Sequence, residues 1–389
     1  MAAWCASQLE GMGFTVSFDG AAEPVGSDTG NLIAHLPGTV PGRVAFSAHL
    51  DTVKPCEGIE AVIETRHVCD DMSCRMAEVV CSAGDTILSA DDKAGIAAIF
   101  EGIRSALEAG AARPDITVLL TICEEQSLLG SSALAPDGLV WPDDLPAASR
   151  GTEYEGLLSS AGTADAAAAD DLLARVPLFV LDADGAPGTI IMGAPFHFTL
   201  RASIEGRAAH AGVEPECGTS AIQIASAAIA AMPLGRIDEC TTANIGRIEG
   251  GVAVNIVPAA VTLEGECRSL YEDRVLAQRD AMTRALTEAA AQFGGEVSID
   301  WTVDYPAVVH EPGDAIVQHL EAAARAIGLE PRRATSGGGA DANVLGTKGA
   351  DAITLGIGMT NFHTPDEYIL VEDLQNMARY VEAIIAEYA

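Results

Sequence analysis

The sequence predicts an α/β protein: a mixed, largely parallel sheet flanked by helices, with a ferredoxin-like α+β domain inserted into it. Three observations lead there. Apolar runs of strand length alternate with helix patterns early in the chain and again near its end, the order that builds a covered, mostly parallel sheet. Between them, over residues 195–305, strands alternate apolar and polar with period two. With their two helices these strands follow the order β-α-β-β-α-β of a ferredoxin-like unit. The expected domains are therefore 1–194 with 306–389, and 195–305.

Taken in order, residues 4–12 read as the end of an amphipathic helix closed by Gly13, and 14–18 as a strand. Strands follow at 31–36 and 43–48, split by the turn at Pro37 and Gly38. Residues 59–64 and 78–81 read as short strands around a loop. A helix over 92–109 ends at Gly110, and 116–122 is a buried-strand run. Residues 135–175 carry eight acidic residues against Arg150 and Arg175, which predicts a surface insertion with a short helix at 164–174. Strands return at 177–182 and 190–193. In the inserted domain we expect strands at 196–204, 242–249, 252–257, 260–268 and 296–305, and helices at 220–232 and 271–293. The chain closes with a helix at 314–327, a glycine loop at 336–343, a strand at 352–356, a loop at 360–363 and a helix at 371–388.

Composition narrows the function. A chain of 389 residues with 49% hydrophobic and 20% charged residues has ample core for two or three domains. The formal charge of −34 repels nucleic acid and anionic membranes and attracts cations, divalent metals among them. No apolar run is long enough to span a membrane, and residues 1–10 lack the pattern of a signal peptide. The nine cysteines are scattered without a CxxC pair, which predicts reduced thiols in a cytoplasmic protein.

Three apolar runs end in residues that bind metals: His49 and Asp51 follow 44–46, Asp91 and Asp92 close the strand-like stretch that includes Leu88, and Glu124 and Glu125 follow 116–122. Strand ends that feed helices are where open α/β sheets place ligands. Two metals side by side need a bridging carboxylate and about two further ligands each. His49, Asp91, Glu125, Asp182 and His363 supply that set, and Glu124 is a spare carboxylate suited to be a general base.

The motifs HLDTV, SADDKAG, CEEQSLLG, LDADG, RAAHAG, NIVP, SGGGADAN and MTNFHTPDEYI occur in this order. Together they resemble the zinc-dependent exopeptidase family of peptidase T, carboxypeptidase G and succinyl-diaminopimelate desuccinylase, most closely its peptidase T-like branch. The resemblance implies two divalent ions, zinc with cobalt or manganese as alternatives. His49 and Asp182 would hold one, Glu125 and His363 the other, and Asp91 would bridge. It implies that Asp51 buttresses His49, that Glu124 moves the proton, and that the peptide bond after Asp91 is cis. His210 would reach the neighbouring subunit's site and stabilise the oxyanion, which makes the inserted domain a dimerisation domain. Asn255, Arg268 and the Gly337, Gly338 and Gly339 backbone would bind substrate. Relatives carry a further helix before the point where this sequence begins. The implied activity is hydrolysis of a di- or tripeptide from its N-terminus. A related deacylase or carboxypeptidase acting on N-acyl amino acids, or a metal- or peptide-binding scaffold, are the alternatives.

Plainer readings stand beside these. Asp184 competes with Asp182 for one ligand position, and the direct end of the strand favours Asp182. Asp92 is expected to cap the following helix. Arg268 has Glu264 and Glu266 as nearby partners on its strand, and the three glycines would also serve a turn. His35, His67, His197, His310 and His319 fall outside the motifs and are expected to be structural or exposed.

Overall fold

The computed structural model describes residues 1–69, 74–135 and 176–389. The expected insertion, apart from Ala135, and its short helix lie outside the described residues. The chain forms two compact units, Met1–Met192 with His310–Thr335 and Ala340–Ala389, and Gly193–Val309 with Ser336–Gly339. The expected boundaries of 195 and 305 fall just inside the second unit. The glycine loop, expected with the first domain, belongs to the second.

The first unit is built on a sheet whose main run is Thr15–Phe18, Leu32–Leu36, Asp115–Thr121, Arg43–His49, Pro177–Ala183, Asp351–Gly356 and Thr189–Ala194. Its centre is parallel: Arg43–His49 lies parallel to both Asp115–Thr121 and Pro177–Ala183, and Asp351–Gly356 is parallel to Pro177–Ala183. Both faces are covered, so these strands are apolar throughout rather than alternating. Val44 and Phe46 pack into the larger core with the helices Ala90–Glu108 and Val371–Glu387. Ala45 points the other way, into a smaller cluster with Leu119, Leu178 and Leu345. The rings of Phe46 and Phe179 meet at 5.5 Å in the middle of the larger core. Truncating either to alanine would cost about 3–5 kcal/mol.

The second unit has a five-stranded sheet in the order Gly235–Arg236, Thr241–Gly250, Ala260–Ser269, Phe196–Glu205, Glu296–Tyr305. Its long strands pair antiparallel, and the helices Ala221–Ala231 and Glu272–Phe293 bury Ile224 and Leu286 against Leu200 and Leu263. This is the ferredoxin-like arrangement. Residues 252–257, expected as a strand, form a turn in which only His210 and Ile256 bridge. Their alternating valines point into solvent: Val252 and Val254 are almost fully exposed.

Three further differences follow from pairings distant in sequence. The strands expected at 59–64 and 78–81 are longer, Ala61–Cys69 and Cys74–Ser82, because they pair with each other and then with Tyr368–Leu370. That register sets Cys69 opposite Cys74, and the two form a disulfide, which corrects the reading of all nine cysteines as reduced. The other seven are free. The helix Asp341–Thr347 was hidden by the glycines before it. No helix among the described residues is long and apolar enough to cross a membrane.

Candidate metal centre

Parallel pairing brings the ends of Arg43–His49, Asp115–Thr121 and Pro177–Ala183 to one edge of the sheet. His49 ends the first, Glu124 and Glu125 follow the second, and Asp182 lies at the end of the third. The start of Ala90–Glu108 adds Asp91, and the loop before Tyr368–Leu370 adds His363. The Asp91–Asp92 peptide is cis, as the resemblance implied.

Asp91 stands at the middle. His49 Nε2 lies 2.7 Å from its Oδ1, and His363 Nε2 lies 3.1 Å from its Oδ2. Asp182 Oδ1 is 3.7 Å from His49 Nε2, and Glu125 Oε1 is 2.9 Å from His363 Nε2. The side chains thus form two triads, His49–Asp91–Asp182 and Asp91–Glu125–His363, each with its ligand atoms within 4.8 Å of one another. Asp184 is exposed and takes no part. Glu124 belongs to neither triad.

Several groups hold this geometry. Asp51 accepts from the N–H groups of Glu124 and Glu125 at 3.0 and 3.2 Å, which ties the 123–125 loop to the His49 loop. Its Oδ1 also lies 3.5 Å from His49 Nδ1, a contact too long and poorly aligned for a hydrogen bond, so that buried nitrogen has no aligned partner. Asp92 Oδ1 accepts from Gly95 N–H at 3.2 Å, the expected helix cap. Its Oδ2 accepts from His49 N–H at 3.1 Å, a tie the sequence reading missed. A side chain at Gly95 would meet both Asp92 Oδ1 and the carbonyl of Leu181, so only glycine lets the helix start this close to the strand. Lys93 Nζ donates to the Asp51 carbonyl at 3.1 Å and to Ser89 Oγ at 2.8 Å.

The electrostatics favour added positive charge here. Burial raises the carboxyls of Glu124 and Asp182 well above the usual range, and each feels other carboxylates nearby. Burial and the charge of Asp91 raise Glu125 as well. Burial would also raise Asp91, but the His363 and His49 imidazoles outweigh it and hold its carboxyl well down. Hydrogen bonding to Asp91 lifts His363 to about 9. Burial opposes protonation of His49, yet Asp51 and Asp91 draw it upward. The two imidazoles and the Lys93 ammonium are outnumbered by the carboxylates around them. Nitrogen and carboxylate donors at these positions fit divalent cations.

The remaining expected site residues lie in the second unit. His210 is exposed, and its Nδ1 accepts from Gly212 N–H at 3.2 Å. Asn255 is exposed and offers its carbonyl to Ala211 N–H. Arg268 pairs with Glu266 at 2.9 Å, the plainer of its two readings, and its Nη1 is 3.4 Å from the Gly337 carbonyl. The glycine loop is more committed than expected. Gly338 N–H donates to Ser336 Oγ and Gly339 N–H to Tyr305 Oη. Gly339 lies so close to the Tyr305 ring that any side chain there would collide with it. Of the other histidines, His35 is buried against Thr117, His197 is buried beside Glu266, His310 bonds the Ala352 carbonyl, His319 is half-buried beside Glu387, and His67 is exposed. Polar groups that the motifs contained but sequence reasoning passed over are the half-buried Lys93 and the buried Asp341 and Glu367. The signal for two of them was a ligand in the same motif, Asp91 for Lys93 and His363 for Glu367.

A parallel sheet edge carrying two histidine–carboxylate triads that share one aspartate defines a hydrolase of the two-metal class. The profile of peptidase family M20/M25/M40 matches residues 88–387, and the chain belongs to that family, a family of metallopeptidases. It is 39% identical over 379 residues to the uncharacterized protein YqjE of Bacillus subtilis (strain 168), covering 97% of this chain and 90% of that one. The crystal structure of aminopeptidase PepT from Bacillus cereus ATCC 10987 is similar with a TM-score of 0.80 and 36% identity, over 99% of this chain and 92% of that one. A tripeptidase from Staphylococcus aureus subsp. aureus Mu50 is similar with a TM-score of 0.83 and 31% identity, over 99% and 91%. These neighbours support the peptidase T-like branch.

Proposed function

We propose that the chain is a peptidase T-like aminopeptidase that removes the N-terminal residue of di- or tripeptides in the cytoplasm. The observation that carries this is the shared aspartate: the two oxygens of Asp91 face the imidazoles of two different triads. The similarity to an aminopeptidase and a tripeptidase over nearly the full chain supports the substrate class. His49 and Asp182 would hold one ion, Glu125 and His363 the second, and Asp91 both. Zinc suits these donors, with cobalt or manganese as substitutes. When bound, such a pair polarises the scissile carbonyl and lowers the cost of forming hydroxide at neutral pH.

The protein's own groups do the rest. Glu124 takes the proton of the attacking water and passes it to the leaving amine. Asp51 holds the Glu124 loop in place through its two backbone hydrogen bonds. His210 would act in a partner's site. Because Gly212 N–H occupies Nδ1, the ring proton sits on Nε2, the nitrogen left to donate to an oxyanion. The exposed Val213, Val252 and Val254 suit a surface covered by a second copy, so we propose a homodimer through the second unit. Asn255, Arg268 and the Gly337–Gly339 loop would orient the peptide. The seven free cysteines fit a reducing compartment, the disulfide closing only a hairpin end.

Metal analysis with a digest of a peptide library tests the reading. Two divalent ions per chain and release of N-terminal residues from Ala-Ala-Ala are expected. Cleavage of N-acetyl amino acids in preference to free tripeptides would make the enzyme a deacylase. The trans role of His210 is tested by mixing inactive His210→Ala with inactive Glu124→Gln. Random subunit exchange should restore activity toward about a quarter of wild type. Demonstrated exchange without recovery would take His210 out of the partner's site.

A further inference from the structure

Glu367 lies in the motif that carries His363, four residues further on, and no role follows for it from the centre described above. Its side chain is completely buried, with 0% of its surface exposed. A carboxylate so placed must have its oxygens met by donors. Both are met by backbone, and both donors belong to one turn: Oε2 accepts from Ser89 N–H at 2.7 Å and Oε1 from Asp91 N–H at 3.1 Å. That turn has Ser89 in the left-handed region, at φ 63°, and delivers Asp91 to the centre of both triads.

The other end of Glu367 is anchored as firmly. Its own N–H donates to the Thr364 carbonyl at 3.1 Å, and Thr364 Oγ1 donates to the Asn361 carbonyl at 2.7 Å. These bonds close the turn that holds His363 at φ 64°. One buried side chain thus links the loop of a triad histidine to the backbone on either side of Ala90, beside the aspartate both triads share. Lys93 secures the same turn from its other side through Ser89 Oγ.

We infer that Glu367 is a positioning residue for the metal pair: it fixes the aim of Asp91 and couples it to His363, so that the two triads form together. This deepens the two-metal reading and rests on it. Glu367→Gln keeps the shape but puts an amide NH2 where one of the two acceptors stood. Glu367→Asp keeps the charge and shortens the reach.

The test is titration of metal-free wild type, Glu367→Gln and Glu367→Asp with cobalt(II), followed by calorimetry and by visible absorption, alongside melting of the metal-free proteins. In Glu367→Gln we expect one cobalt equivalent to bind about 10–100-fold more weakly, the range for partners that orient metal ligands. The absorption bands should shift, kcat should fall with KM little changed, and the metal-free protein should still melt cooperatively. Glu367→Asp should fall between Glu367→Gln and wild type. Wild-type affinity and spectrum in Glu367→Gln, whatever its melting temperature, would overturn the assignment. So would failure of both variants to fold, which would give Glu367 a role in stability alone. Wild type that binds fewer than two cobalt ions would overturn the two-metal reading and this inference together. Wild type binding two while Glu367→Gln binds them equally would sink only the latter.

Discussion

Around His49 in the first unit and around Glu266 in the second, histidine meets carboxylate at similar distances and holds that carboxyl down, but the first cluster has further carboxylates left over. His49 Nε2 is 2.7 Å from Asp91, and His197 Nε2 is 2.9 Å from Glu266. Glu266 also receives the Arg268 guanidinium, and the His197 ring with that guanidinium holds its carboxyl down at about 2. Asp182, Glu124 and Glu125 have no such arginine, and all three are pushed upward by burial. The nearby Lys93 spends its hydrogen bonds on a carbonyl and a hydroxyl instead of a carboxylate. A cluster that balances its own charge is complete as folded, whereas one with surplus buried carboxylate is built for a cation that comes from outside. The backbone agrees. All six non-glycine residues with positive φ among the described residues are in the first unit, and Ser89, Cys123, Ser127, Asn361 and His363 lie on or within two residues of Asp91, Glu125 or His363. Strain of this kind collects where a site dictates the backbone.

The largest test of this contrast is Glu124→Gln. If Glu124 moves protons without holding metal, the variant should keep both ions and lose at least about 10²-fold in kcat, the usual worth of a general base. Metal lost along with rate would mean that Glu124 and Glu125 exchange roles. Next comes Asp182→Asn, which removes one surplus carboxylate. The metal-free variant should be more stable than metal-free wild type by roughly 1–2 kcal/mol, seen as a higher melting temperature, while the metal-loaded variant retains one ion fewer. A metal-free protein destabilised by this change would show that the negative cluster is already balanced. The smallest effect belongs to Glu266. Its folded-state pKa lies below its ordinary value, so the stability it contributes is present above pH 4.5 and is lost as the pH falls toward about 2. With its side chain 34% exposed, solvent screening reduces this to about 1 kcal/mol. Denaturant melts of wild type and Glu266→Gln across that range should converge in acid. A constant gap would assign Glu266 no pH-linked contribution.

Much of this was legible in the residues. Apolar runs of strand length predicted the strands Arg43–His49, Asp115–Thr121 and Pro177–Ala183 to within a residue or two, because strands buried on both faces need no partner to be recognised. The metal-binding residue types at their ends pointed to one edge of one sheet, and the ordered motifs to the family. Less legible were elements whose identity depends on what they pair with. The valines of 252–257 alternate like a strand, but they form an exposed turn. The hairpin Ala61–Cys69 and Cys74–Ser82 is mostly exposed and shows little apolar pattern, so its length and its disulfide come from register alone.

The sequence by itself determined which residue types were available and the order in which the strands would deliver them, since local propensity and burial patterns act over a few neighbours. Tertiary structure decided the choices among equals. It set Asp182 toward His49 and left Asp184 in solvent. It turned Arg268 onto Glu266, committed the Gly338 and Gly339 amides, and placed Glu367 behind Asp91, 276 residues earlier in the chain. Each of those outcomes depends on hydrogen bonds and charges between segments far apart in sequence, and only a folded chain brings such partners within the few ångströms over which they act.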